Sequence, residues 1–142
     1  MKINEFKGEY FFLSNFYEAP VTYRGLQYGS NEAAFQAQKC MTREETAEFT
    51  SLRPSDAKKR GRKVQLRPDW EDIKVGIMEE IVREKFIQNI TLQEMLLATG
   101  DAVLEEGNTW NDKEWGTVKG EGNNKLGKIL MKLREEFSSE SE

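Results

Sequence analysis

Three groups of residues in this chain have the types and spacing to do chemistry. The first lies within Tyr28–Lys39, where Glu32, Gln36 and Lys39 fall at i, i+4 and i+7. A helix through them puts a carboxylate, an amide and an ammonium on one face, a set that can line a pocket. Glu32 at the head of such a helix also gains from free N–H groups and the macrodipole, as any helix-end acid does. The second group is Ser14-Asn15-Phe16-Tyr17. It reads either as a turn whose short polar side chains bond the local backbone, or as an aromatic platform at Phe16 with Asn15 as a polar contact. The third is Trp110-Asn111-Asp112-Lys113-Glu114-Trp115-Gly116, followed by Gly120 to Gly127. Residues 106–122 carry two tryptophans and four glycines. So long a loop is uncommon in a compact domain unless it works. Glycines there allow close backbone approach, and the start of a following helix can offer N–H groups to a phosphate. The glycine spacing matches no nucleotide-binding fingerprint. Asp112 is open to two readings, an Asx-turn residue or a functional carboxylate.

Composition limits what these groups can do. The 142-residue chain contains no histidine, which removes Ser-His and Cys-His nucleophiles, histidine bases and every histidine-bearing metal site. One cysteine, Cys40, excludes zinc sites of the usual nitrogen and sulfur type and any internal disulfide. Catalysis is left to carboxylates, lysine, arginine, tyrosine, amides and the backbone. Cys40 reads as a small buried hydrophobe at a helix end. With 37% hydrophobic and 11% aromatic residues the chain has the makings of a real core. A reducing compartment, the cytoplasm, is expected, with no signal peptide and no membrane-spanning run.

The elements that must position these residues read as a mainly α fold, a compact multi-helical domain with a small N-terminal β ribbon. Tyr10–Leu13 is aromatic-rich and predicts a short strand, and Val21–Tyr23 with Leu26–Tyr28 flank Arg24-Gly25 as a tight hairpin. Ser30 predicts the cap of a helix to about Cys40. Thr42 with Glu45 predicts a capping box, and Pro54 to Gly61 a third helix. Asp69 is placed to cap the longest helix, in which Trp70, Ile73, Ile77, Met78, Ile81, Val82 and Phe86 make an apolar stripe to about Gln88. Thr91 with Glu94 predicts another capping box, ahead of a helix that Gly100 ends. Ala102–Leu104 predicts a short strand. A last helix from about Asn124 turns Leu126, Ile129, Leu130, Leu133 and Phe137 to the core. One domain over 1–137 is expected, with 138–142 as a frayed acidic tail.

Taken in order, several segments resemble the NADAR superfamily of YbiA-like domains. They are Phe12–Phe16, Tyr28–Lys39, Gly61-Arg62, Asp69-Trp70 with Lys74 and Met78, Lys85-Phe86, Leu96–Thr99, Asn111-Asp112 with Trp115-Gly116, and Asn123–Gly127 with Leu130-Met131 and Arg134. The resemblance runs from about Phe6 to Phe137. It implies an N-glycosidase, acting on ribosylamino-pyrimidine phosphates of riboflavin biosynthesis or on ADP-ribosylated guanine in nucleic acid. Many relatives have a Glu-His pair where this chain has Glu32-Ala33.

On that resemblance Glu32 stabilises an oxocarbenium-like ribosyl cation and orients the attacking water. Asp112 is the second catalytic carboxylate, orienting a ribose hydroxyl or assisting the leaving group. Arg62 and Lys39 meet phosphate. Trp115, Trp110 or Phe16 stacks the base, and Asn15, Gln36, Gly116 and Asn123 complete the substrate contacts. The backbone near Gly116 and Gly127 is expected to approach the phosphate. No metal ion and no cofactor is expected. The partner is a phosphorylated ribosyl small molecule or ADP-ribosylated nucleic acid, with no membrane. A net charge of -4 favours the small molecule, whereas seven basic residues between Arg53 and Arg67 read as a solvated face or as a track for a nucleic-acid backbone. The alternative function is a non-catalytic ADP-ribose or nucleotide-binding module.

Overall fold

The computed structural model describes residues 1–140, and the chain is mainly helical with two small two-stranded sheets. It divides into two compact units, residues 15–89 and residues 1–14 joined with those from 90 onward.

In the first unit β2 (Glu18–Tyr23) and β3 (Leu26–Ser30) form an antiparallel hairpin. Arg24 and Gly25 close it with φ of 49° and 83°. Positive φ at both central residues matches the twist of the strands, so the hairpin expected around this dipeptide forms. The ladder slips between Glu18 and Val21, around Pro20, which has no N–H to give. Buried Ala19, Val21 and Tyr23 alternate with exposed Glu18, Pro20 and Thr22.

Ser30 then caps α1 (Asn31–Ala37), its Oγ accepting the Ala33 N–H at 3.1 Å. α1 stops short of Cys40, because the amides of Gln38, Lys39 and Cys40 reach back three residues instead of four. Thr42 caps α2 (Arg43–Ala47), its Oγ1 accepting the Glu45 N–H at 3.2 Å; in place of the reciprocal half of the expected capping box, the Thr42 hydroxyl donates to the Glu45 carboxylate at 3.0 Å. A 3-10 turn (Glu48–Ser51) leads to α3 (Pro54–Gly61), and α4 (Trp70–Gln88) follows. Asp69 does not cap α4 with its side chain. Its carboxylate forks instead onto Arg67, at 2.7 and 3.2 Å, which holds its pKa below the usual value. Phe35 and Trp70, both buried, stack tilted at 52° with ring centres 5.0 Å apart, and so fix α1 against α4.

In the second unit β1 (Lys2–Ile3) runs parallel to β4 (Val103–Leu104). The predicted strand at Tyr10–Leu13 is a 3-10 helix, Gly8–Leu13. Phe12 and Leu13 are buried side by side, an arrangement that the alternating faces of a strand cannot provide. α5 (Ile90–Ala98) already begins at Ile90, so Thr91 lies inside its first turn rather than ahead of it as a cap. α6 (Lys125–Glu140) buries the five residues expected of it. It also continues through Ser138 and Ser139, where a frayed tail was expected. Residues 141 and 142 of that tail lie outside the described residues. Among the described residues no helix is long and apolar enough to cross a membrane.

Asn124, at φ 48°, joins this unit together. Its Nδ2 donates to the Leu104 carbonyl at 2.9 Å and its Oδ1 accepts the Glu106 N–H at 3.0 Å, so α6 is tied to the end of β4. Asparagine tolerates the left-handed backbone that this position needs. Asn124→Ala is expected to lose about 2 kcal/mol of stability, the scale of leaving two backbone groups unpaired. Asn124→Gly keeps the backbone relaxed and isolates the hydrogen-bond share. Denaturant midpoints of the two variants check this, and an unchanged midpoint for Asn124→Ala would refute it.

Candidate active site

In the first unit the strand-to-helix junction places Glu32 in the first turn of α1, on the wall of the core and only 8% exposed. Its N–H donates to the Asn15 carbonyl at 3.0 Å. The Asn15 side chain in turn accepts from Asn31 Nδ2 at 3.2 Å and donates to Met78 Sδ at 3.4 Å. Asn15 is therefore a clamp between the head of α1 and the face of α4. One turn along, Gln36 Nε2 donates to Glu32 Oε2 at 2.6 Å. The i, i+4 pair expected from the sequence is thus a direct, buried hydrogen bond.

Lys39, half-buried, follows at the end of α1. Burial lowers its pKa, Glu32 pulls it back up, and the nearby cations Arg62 and Lys74 push it down. Glu32, Arg62 and Lys74 are therefore each within electrostatic reach of Lys39. Lys74 was not singled out as a site residue from the sequence, and its sign and helical spacing alone look like surface charge. Here its side chain is only 14% exposed and bonds Glu71 at 2.8 Å. Phe16 is half-exposed, with the Lys58 ammonium 5.6 Å from its ring centre. Of the seven basic residues between Arg53 and Arg67, three bind carboxylates: Arg53 with Glu18, Arg60 with Glu48 and Arg67 with Asp69. Arg62 is exposed and makes no such pair among the described residues. Cys40 is buried and its thiol is pushed up to about 11, first by burial and then by Glu45 and Glu48, so it is a poor nucleophile.

In the second unit Asp112 builds its own loop. Its Oδ1 accepts the N–H groups of Glu114 at 3.0 Å and Trp115 at 2.9 Å. Asn108 pairs with the Asp112 backbone through both ends of its amide, at 2.9 and 3.0 Å. Of the two sequence readings the Asx turn is present. That turn uses one carboxylate oxygen. Trp115 is half-exposed beside the Lys125 ammonium, 5.8 Å from the ring centre, and Trp110 is 52% exposed.

The glycine-rich segment differs from expectation. The N–H groups of Asn123, Asn124, Lys125 and Leu126 donate to the carbonyls of Lys113, Gly116, Glu114 and Trp115. The start of α6 is thus already capped by the loop, and those amides are not free for a phosphate. Gly116 is buried where a Cβ would strike the Glu106 carbonyl and the Asn108 amide. Gly127 meets the Leu104 carbonyl and Asn124 in the same way. The Asn123 side chain is exposed.

Sequence reasoning gave no role to Lys85, which is 2% exposed. Its ammonium lies 5.5 Å from the Tyr17 ring centre and 5.2 Å from that of Phe86. Burial pulls its pKa down to about 7, so the amine can give or take a proton near neutrality. The available signal was a lysine on the apolar stripe, one turn from Ile81 and Val82. Among the described residues no cluster of three acidic or thiol side chains could hold a metal ion.

The Lys85 displacement fixes a sign. Between pH 7 and the ordinary lysine value near 10.4 the unfolded chain holds a proton that the folded one does not, so stability rises with pH across that window. Below pH 7 both states are protonated and this contribution is flat. Lys85→Met is expected to raise the melting temperature at pH 7 and to remove most of the rise toward pH 10. Thermal melts across that range test it, and an unchanged pH slope would refute the assignment.

The NADAR domain model matches residues 3–138. Riboflavin biosynthesis protein VVA0006 of Vibrio vulnificus is 43% identical over 132 residues, covering 89% of this chain but 35% of that protein. The chain thus spans about a third of that relative. N-glycosidase YbiA of Escherichia coli is 39% identical over 131 residues, covering 89% of this chain and 81% of the relative. The NMR structure of the E. coli protein YbiA matches with a TM-score of 0.86 at 35% identity, over 99% of this chain and 86% of that one. This chain belongs to the NADAR domain family.

Proposed function

We propose that this chain is an N-glycosidase that hydrolyses the bond between a ribosyl carbon and nitrogen in a phosphorylated ribosylamino-pyrimidine. The observation that carries the reading is Glu32, a buried carboxylate hydrogen-bonded to Gln36 and within electrostatic reach of Lys39, which Arg62 also reaches. As the C1′–N bond breaks, its electrons leave with the nitrogen and positive charge gathers on the ribosyl carbon. A fixed carboxylate stabilises that charge and takes a proton from the water that attacks C1′, while the departing nitrogen gains a proton. Lys39 and Arg62 hold the phosphate, Arg62 through its planar fork.

Phe16, half-exposed in the same unit as Glu32, is assigned to the base. The names of the relatives, N-glycosidase and riboflavin biosynthesis protein, support both the reaction and the substrate class. So do the three carboxylate-bound arginines, which leave less of the basic run for a nucleic-acid backbone.

Purified protein should release the pyrimidine from a ribosylamino-pyrimidine phosphate faster than it releases ADP-ribose from ADP-ribosylated guanine in DNA. The reverse order would move the substrate to nucleic acid. Binding of either without turnover would make the chain a reader. Glu32→Gln should fold and bind substrate but lose about two to four orders of magnitude in turnover, the scale of one electrostatic stabiliser. Arg62→Ala should raise KM more than it lowers kcat. Single-turnover kinetics with a thermal melt decide both, and a Glu32→Gln enzyme near the wild-type rate would end the catalytic assignment.

A further inference from the structure

Gln36 is 7% exposed, and its two amide ends have different fates. A carboxylate only accepts hydrogen bonds, so the end facing Glu32 Oε2 at 2.6 Å must be the NH2 group. The carbonyl oxygen then points away from Glu32. It is buried and has no hydrogen-bond partner. What it meets is Gly61, the last residue of α3. A Cβ built on Gly61 would overlap Gln36 Oε1, and would stand 2.7 Å from its Cδ and 3.2 Å from its Cβ. Gly61 does not have a positive φ, so its conformation does not demand glycine. Its missing side chain is needed for the space that Gln36 fills.

A buried carbonyl without a partner is unfavourable, so that end of Gln36 costs stability. The other end is the one that engages Glu32, and the bare backbone of Gly61 gives the amide room to do so. We infer that Gln36 and Gly61 are positioning residues, which together hold the Glu32 carboxylate in its working orientation. This inference rests on the catalytic reading of Glu32. It adds support of the carboxylate to the substrate contact expected of Gln36, since one of its two N–H groups is engaged by Glu32 and its acceptor is covered. It also makes α3, whose next residue is Arg62, a structural link between the anion-binding arginine and the catalytic acid.

The test is a double-mutant cycle on the ribosylamino-pyrimidine phosphate. Gly61→Ala pushes a methyl group into the Gln36 amide, and displacement of a reacting group on this scale lowers kcat by about 10- to 100-fold. KM should change by less than about threefold, because the phosphate contacts stay in place. Gln36→Ala removes the donor and also the obstacle. Gly61→Ala should therefore have almost no further effect in the Gln36→Ala background, a strongly non-additive pair.

An equal loss of kcat from Gly61→Ala in both backgrounds would overturn the inference, as would a raised KM with kcat intact. If Gly61→Ala does not fold, Gln36→Met decides alone. It keeps the length of the side chain without the donor, so a lowered kcat with KM preserved supports positioning and an unchanged kcat overturns it. Glu32→Gln run in parallel separates the two levels. An active Glu32→Gln, or a wild-type protein inactive on this substrate, refutes the catalytic reading and this inference with it. An inactive Glu32→Gln beside a fully active Gly61→Ala refutes only the positioning.

Discussion

A carboxylate removed from water must be held by hydrogen bonds and countercharge, or it will shed its charge. Glu32 is such a group, and the unit formed by residues 15–89 is arranged around that requirement. The hairpin of β2 and β3 delivers Ser30 as a cap, and the cap fixes where α1 begins and therefore where Glu32 sits. The Asn15 carbonyl takes the Glu32 N–H, one of the donors that a helix start leaves without an internal partner. Gln36 supplies the side-chain donor from one turn along, and Lys39 supplies countercharge at the helix end. Phe35 and Trp70 lock α1 to α4 so that none of these relations can drift. Every residue of α1 is buried, which makes this short helix a fixed rod rather than a surface element.

How much of this the sequence carried depends on whether the signal was local. The Arg24-Gly25 turn, the caps at Ser30 and Thr42 and the apolar stripes of α4 and α6 are set by residues within one or two turns of each other, and all are present. Glu32 and Gln36 were paired by helical spacing for the same reason. Failures came where a distant partner decides. Asp69 can cap α4 or bind Arg67, and the guanidinium fork prevails. Tyr10–Leu13 has the composition of a strand but no strand beside it, and it coils. Lys85 looked like one more charged residue, because nothing in its neighbours reveals that the core closes over it. Gly61 read simply as a helix terminator. Its close approach to Gln36 spans 25 positions and has no signature in the chain.

The loop between β4 and α6 shows how one composition serves two physical ends. Glycines and a helix start suggested an anion cradle. Instead the carbonyls of residues 113–116 satisfy the amides of residues 123–126, and Gly116 and Gly127 allow backbone carbonyls to come close. Asn108, Asp112 and Asn124 complete the loop through hydrogen bonds to its backbone. Such a loop is tied together by hydrogen bonds without regular secondary structure. Trp110 and Trp115 stand on it, each partly exposed to solvent.

The lack of histidine then takes on a definite meaning. Where the resemblance leads one to expect Glu-His, this chain has Glu32-Ala33, and Ala33 is fully buried with its N–H bonded to Ser30. A methyl group fills that position, so no imidazole stands beside Glu32 to relay a proton. Hydrolysis of an N-glycosidic bond tolerates this absence, since charge on the ribosyl carbon needs a fixed negative group more than it needs a relay. On the proposed reading, such a site depends on the geometry of the Glu32 carboxylate. The constraint passes from the missing ring to the groups that hold Glu32: the Asn15 carbonyl, the Gln36 amide and the bare backbone of Gly61 behind it.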